Sequence, residues 1–132
     1  SYTWTRGEFR TRFDSDYEPW GNVEVGDELP YLPEHQFNVS VGLQGARWDT
    51  FASVTSGSAM RTEAGQGPIP LRRGTDAFTV VDLTAGYRLS QDVRLQAALQ
   101  NALAATYIVA RRPSGVRPGL TRTFVLGLTF SR

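Results

Sequence analysis

Arginine carries most of the chemistry in this sequence of 132 residues. All 14 basic residues are arginine, and no lysine occurs. The guanidinium group binds carboxylate and phosphate groups through two parallel hydrogen bonds. Six arginines fall in two segments that separate more regular stretches, and we take them as candidate ligands for an anion: Arg61, Arg72, Arg73, Arg111, Arg112 and Arg117.

The charges are unevenly distributed along the chain, although the net charge is only +1. Residues 14–34 hold seven acidic residues and no arginine, whereas six arginines and no acidic residue follow Asp92. Two interpretations stay open. The arginines either pair with these acidic residues across neighbouring loops, or they form an electropositive entrance that concentrates an anionic ligand. The near-neutral total argues against nucleic acid as a partner.

The other reactive residue types are too few for catalysis or for a resident metal. Cysteine is absent, and His35 is the single histidine, so thiolate chemistry and multi-histidine metal sites are excluded. For His35, a structural hydrogen bond is the favoured role. Asp14, Asp16 and Glu18 have the spacing of a calcium loop but lack its remaining ligands. The sequence therefore predicts a protein that is not an enzyme and that has no cofactor.

Apolar and polar residues alternate along several stretches, which is the period of a β-strand. The clearest stretch places Phe124, Leu126, Leu128 and Phe130 on one face and Thr123, Val125 and Thr129 on the other. Residues 48–59 also read as a strand, but their small side chains leave its facing ambiguous. We predict six strands, at residues 2–13, 36–45, 48–60, 77–90, 93–108 and 121–131.

The predicted connections are alternately short and long. Residues 45–47 and 90–92 form tight turns, whereas 14–35, 61–76 and 109–120 are long. This pattern predicts an all-β, antiparallel up-and-down sheet with short turns at one edge and long loops at the other, as in a transmembrane barrel. A soluble β-sandwich that binds a ligand shows the same alternation and is the alternative. Because amphipathic rings prefer the membrane interface, we expect an aromatic girdle at the turn edge, formed by Tyr2, Trp4, Trp48 and Tyr87.

Four motifs, in chain order, resemble those of TonB-dependent outer-membrane receptors. They are the proline-rich residues 29–36 that lead into a strand, the Asp-Leu strand at 78–87, the Asn and Tyr that frame 101–107, and the Arg-Pro-Gly stretch at 117–124. In the third motif Ala104 replaces the usual acidic or amide residue, and in the fourth Thr121 replaces the usual proline. The Asp-Glu-Leu-Pro-Tyr stretch at 27–31 and residues 64–70 look most similar to ferric-dicitrate-type members.

The resemblance implies a barrel of roughly 22 strands whose lumen holds a plug. Residues 1–132 are then its C-terminal part, with short periplasmic turns and long extracellular loops, and the plug and the earlier strands lie outside them. The implied function is transport of an anionic ferric chelate, either ferric citrate or a siderophore, across the Gram-negative outer membrane. The implied partners are outer-membrane lipid and lipopolysaccharide, the remaining strands, the plug and, through the plug, TonB. Lipopolysaccharide phosphates are a third possible partner for the six arginines, and a fragment of a simpler porin-like barrel is a further alternative.

Overall fold

Six β-strands form one antiparallel sheet in the computed structural model, which describes residues 1–70, 72–112 and 115–131. Strands are numbered along the chain. Their order across the sheet is β1 (Tyr2–Trp4), β4 (His35–Gln44), β5 (Trp48–Gly57), β6 (Phe78–Arg88), β7 (Val93–Gln100) and β10 (Thr123–Phe130). Among the described residues, no helix is long and apolar enough to cross a membrane.

The connections follow the predicted alternation, so the all-β up-and-down sheet is confirmed. Tight turns join β4 to β5 and β6 to β7 at one edge, which we call the turn edge. The opposite, loop edge carries the long connections, and two of them contain small hairpins. In the first, β2 (Phe13–Asp14) pairs with β3 (Asn22–Val23); in the last, β8 (Ile108–Ala110) pairs with β9 (Arg117–Pro118).

Two predicted strands are too long. The strand predicted at 2–13 ends at Trp4, because residues 7–9 pair with residues 27–29 instead of continuing along β4; the Phe9 amide donates to the Asp27 carbonyl at 2.8 Å. A Cβ at Gly7 would stand 2.9 Å from Leu32 Cδ2, so a larger residue there would require the Leu32 side chain to move. The strand predicted at 93–108 ends at Gln100, because Asn101 adopts a φ of 48° that is incompatible with a strand.

The register of the ladders gives the sheet one apolar and one polar face. In β10, Phe124, Leu126 and Leu128 pair with Leu99, Ala97 and Leu95 on the apolar face, as the alternation predicts. Pairing also resolves β5, where Asp49 stands opposite Gln44 and Gly86 on the polar face. Trp48, Ala52 and Val54 of β5 therefore belong to the apolar face.

Neither face of the sheet is covered by the rest of the described chain. Phe124 and Phe130 on the apolar face are 66% and 73% exposed. A β-sandwich would bury one face of this sheet in a closed core. The apolar face instead has the composition and exposure of a surface that meets lipid.

The aromatic girdle expected at the turn edge is correct for two of its four residues and wrong for the other two. Trp48 and Tyr87 do pair there, but Trp4 pairs with His35, the first residue of β4 after its long connection. Tyr2 and Trp4 therefore lie at the loop edge, because β1 is only three residues long and runs antiparallel to β4. The Tyr2 hydroxyl and His35 Nδ1 are hydrogen-bonded at 2.8 Å, the structural role favoured for this histidine. Aromatic residues thus mark both edges of the apolar face.

Candidate functional site

The described residues of the long connections pack together beyond the loop edge and form what we call the loop layer, which has three segments: residues 5–34, residues 58–70 with 72–77, and residues 101–112 with 115–122. Backbone hydrogen bonds join its three segments, including Glu28 N–H to Gly65 O at 2.9 Å and Asp76 N–H to Ile108 O at 3.1 Å. The buried side chains of the described residues all lie here: Pro19, Val23, Asp27, Arg61, Thr62, Thr75, Asn101 and Ala110. The loop layer, and not the sheet, therefore contains the core.

Arg61 is the most buried of the six candidate arginines. Its side chain is 7% exposed and forms an ion pair with Glu28, with Nη2 2.5 Å from Oε2. The Nε of Arg61 also donates to Glu28, and Nη2 donates to the Gly67 carbonyl, both at 2.8 Å. These contacts occupy the guanidinium, so Arg61 holds residues 28 and 67 together.

Arg112 joins the three segments of the loop layer. It forms ion pairs with Glu18 in the first segment and Glu63 in the second, and Glu63 also pairs with Arg73 at 3.3 Å. The backbone amide of Arg112 donates to the Tyr31 hydroxyl at 3.0 Å. The ion pair between Arg112 and Glu18 joins the arginine-rich end of the chain to its acidic stretch, as the ion-pairing interpretation of the charge split requires.

The other three candidates differ in how much of the guanidinium is engaged. Arg111 is half-buried, and its Nε donates to the Gly74 carbonyl at 2.5 Å. Arg72 and Arg117 are exposed, and within residues 1–70, 72–112 and 115–131 neither has an ion-pair partner. The structure thus divides the six arginines into four that brace the loop layer and two that project from it.

An aromatic cluster in the first segment was missed by the sequence analysis. Trp20 meets Phe9, Phe13 and Tyr17 edge to face, with ring centroids 5.4–5.8 Å apart. Tyr17 is 59% exposed and Trp20 39% exposed, so the cluster presents ring surface to solvent. The available signal was the density of aromatic residues between positions 9 and 20, which the predicted strand at 2–13 concealed.

Two of the three residues with the spacing of a calcium loop have other structural roles. Glu18 pairs with Arg112, and Asp14 lies in β2. Within the described part of the chain, no three histidine or acidic side chains are close enough to hold a metal ion. The loop layer thus contains two exposed guanidinium groups, which suit an anion, and an exposed aromatic surface, which suits an apolar group.

If Arg112 braces the loop layer, its replacement will loosen the first segment. We expect Arg112→Ala in the full-length protein to increase the rate of cleavage within residues 13–23 by an added protease about fivefold, since two partly exposed ion pairs contribute about 1 kcal/mol. Limited proteolysis of the purified protein, followed by immunoblotting, measures this rate. Arg10→Ala removes an exposed arginine of the same segment and serves as the control. Equal cleavage in the two variants would contradict the bracing role.

Comparison with known proteins identifies the family. The TonB dependent receptor-like, beta-barrel family profile matches residues 1–102. The catecholate siderophore receptor Fiu of Escherichia coli K12 is 32% identical over 110 residues, covering 74% of this chain, and the receptor of the same name from E. coli O157:H7 has the same values. The chain spans 13% of the length of these relatives.

Solved structures give the same result. The closed form of the ferric-catecholate import receptor Fiu from E. coli K12 superposes with a TM-score of 0.67 and 26% identity, over 78% of this chain and 15% of that one. Its open form gives a TM-score of 0.66 and 27% identity, over 76% and 16%. These relatives are transport receptors. The chain belongs to the TonB-dependent receptor β-barrel family, and its sheet is part of the wall of an outer-membrane barrel.

Proposed function

We propose that the receptor containing this chain imports an anionic ferric chelate of the catecholate class. The observation that carries the proposal is the match, in sequence and in structure, to a receptor described as a ferric-catecholate importer. The aromatic cluster supports this class, because catechol rings pack well against aromatic side chains and citrate has no ring. Arg72 and Arg117 supply donors for the negative charge.

Ferric dicitrate is the second candidate, since residues 64–70 resemble that type of receptor. In the structure this stretch packs against its own loop layer: the Gly65 carbonyl accepts from Glu28, and Gln66 Nε2 donates to the Val25 carbonyl at 3.2 Å. Those contacts give residues 65 and 66 a structural role, and the preference for the catecholate rests on the match to the ferric-catecholate importer.

The remaining parts of the receptor enter the proposal as partners. We propose that residues 1–132 form the C-terminal part of the barrel, that the other strands close it, and that a plug coupled to TonB powers import. Lipid contacts the apolar face, and lipopolysaccharide lies beside Tyr2 and Trp4 at the loop edge.

Uptake by the full-length receptor tests the substrate class. The receptor is expressed in a strain that lacks its own catecholate and citrate receptors, and radioactive iron is supplied as either chelate. We expect uptake of the ferric catecholate that depends on TonB. If the cells take up only ferric dicitrate, the substrate is the second candidate and not the catecholate. If they take up neither chelate, the proposed transport function is wrong.

Among the six candidates, Arg72 and Arg117 are proposed to contact the chelate. Each exposed, charge-assisted contact is worth about 1.4 kcal/mol, so each substitution to alanine will weaken binding about tenfold. The loss of affinity is measured on the purified full-length receptor, by quenching of its tryptophan fluorescence as the chelate is added at low and at high salt. Arg47→Ala removes an exposed arginine from the turn edge and is the matched control. An affinity equal to that of Arg47→Ala would remove both arginines from the site.

A further inference from the structure

Tyr31 has a backbone conformation that is unfavourable for its residue type. Its φ is 57°, in the left-handed region, where the Cβ of a bulky residue crowds the following carbonyl oxygen. Such a conformation persists only where the surrounding structure fixes it. The contacts of Tyr31 must therefore compensate for this strain.

Both ends of Tyr31 are bound to other segments of the loop layer. Its backbone amide donates to the Arg61 carbonyl in the second segment at 2.9 Å. Its hydroxyl accepts from two amides of the third segment, that of Arg112 at 3.0 Å and that of Arg111 at 3.4 Å. Tyr31 itself belongs to the first segment, so this one residue joins all three.

The strain and the hydrogen bonds of Tyr31 oppose each other. While the bonds are intact, they hold the backbone at its positive φ. If they break, the residue relaxes to a negative φ, and this rotation redirects the Cα–Cβ bond and carries the ring away from residues 111 and 112. Tyr31 therefore has two states, one bound and strained, the other free and relaxed.

A hollow of about 540 Å³ lies where the loop layer meets the polar face of the sheet. Tyr31, Met60 and Val109, one from each segment, are part of its wall. Residues on the polar face of β4 and β5 form another part. Because every segment supplies part of the wall, a joint movement of the three segments changes access to the hollow.

We propose that Tyr31 is a latch that couples the three long loops, so that they open and close over the hollow as one unit. Direct bonds between segments, such as that from Asp76 N–H to the Ile108 carbonyl, transmit the opening of one segment to the next. The latch thereby controls access to the lumen from the loop edge. Loops that opened independently would instead expose the hollow one segment at a time.

Removal of the hydroxyl alone tests the latch. Tyr31→Phe keeps the ring and deletes the acceptor of the two amide bonds, and hydrogen exchange of the purified full-length protein is measured in detergent without a chelate. If the loops are coupled, exchange will rise about tenfold, and by a similar factor, in three peptides that contain residues 28–32, 60–65 and 108–112.

A rise confined to the amides of Arg111 and Arg112, or no rise at all, would mean that the loops open independently and would overturn the proposal. Tyr2→Phe is the matched control. It also removes a hydrogen-bonded tyrosine hydroxyl at the loop edge, the one that meets His35, but it leaves the junction of the three segments intact. We expect the three peptides to exchange in Tyr2→Phe as they do in the unchanged protein.

A second pair of variants tests the strain. Tyr31→Ala and Tyr31→Gly both remove the ring and the hydroxyl, but only glycine adopts a φ of 57° without strain. We expect the three peptides to exchange several-fold faster in Tyr31→Ala than in Tyr31→Gly. Equal exchange would show that the backbone at position 31 is relaxed in the folded protein, which would contradict the latch. Because no chelate is present in either experiment, the result does not depend on the proposed transport function.

Discussion

An arginine in the middle of the apolar face will greatly reduce the amount of folded receptor in the outer membrane. Leu83 lies near the middle of β6, between Ala52 and Leu99 in the ladders, and its side chain is exposed on the apolar face. The charged side chain costs roughly 2–4 kcal/mol at the bilayer midplane of a β-barrel. We therefore expect Leu83→Arg to destabilise the barrel by this amount and to lower its yield several-fold.

The next residue along the chain provides a matched control. Thr84 lies on the polar face, in one row with Phe51 and Ala98, so Thr84→Arg adds the same charge to the same strand on the lumen side. The folded fraction in isolated outer membranes, read from the shift in gel mobility on heating, compares the two variants. If Thr84→Arg lowers this fraction as much as Leu83→Arg does, the assignment of the faces is incorrect.

The part of the fold that the sequence could predict is the part that has a local cause. Alternation in β4, β6 and β10 reflects the pleat of a single strand, so six strands and two faces follow from the residues themselves. In β5 the side chains are too small to show which face is apolar, and only pairing with β4 and β6 resolves it. Tyr2 and Trp4 were placed at the wrong edge because alternation does not reveal where a strand stops pairing.

The candidate site depended on contacts between distant parts of the chain, which a pattern of residues does not contain. The sequence left open whether the arginines bind an anion or pair with acidic residues of neighbouring loops, and it could not show which of them pair. Arg112 meets Glu18, 94 positions away, and Arg61 meets Glu28, 33 positions away. Only the fold of the loop layer decides which guanidinium groups are engaged and which, like Arg72 and Arg117, project from it.

Asn101 illustrates the same limit, and its replacement will have the second large effect. The residue directly follows β7 and is 1% exposed. Its Nδ2 donates to the carbonyls of Ala105 and Leu120, and its Oδ1 accepts from the Ala105 amide, each at 2.8 Å. Alanine leaves these three backbone groups, which lie in a partly buried environment, without the bonds that the side chain makes, at a cost of up to roughly 1–3 kcal/mol each when no water replaces it.

We expect Asn101→Ala to accelerate hydrogen exchange about a hundredfold in residues 101–110 and 117–122, which corresponds to a local loss of about 3 kcal/mol. Asn101→Gly removes the same bonds, but glycine adopts the φ of 48° without strain. We therefore expect the amides of these residues to exchange more slowly in Asn101→Gly than in Asn101→Ala, by a factor that reflects the strain of alanine at this φ. Asn38→Ala is the control, because Asn38 is exposed on the polar face and its side chain bonds to Thr55 alone. Exchange in Asn101→Ala no faster than in Asn38→Ala would mean that the last segment of the loop layer is held by its other contacts. The Arg111 and Arg112 bonds to Gly74, Glu18 and Glu63 would then suffice to hold it in place.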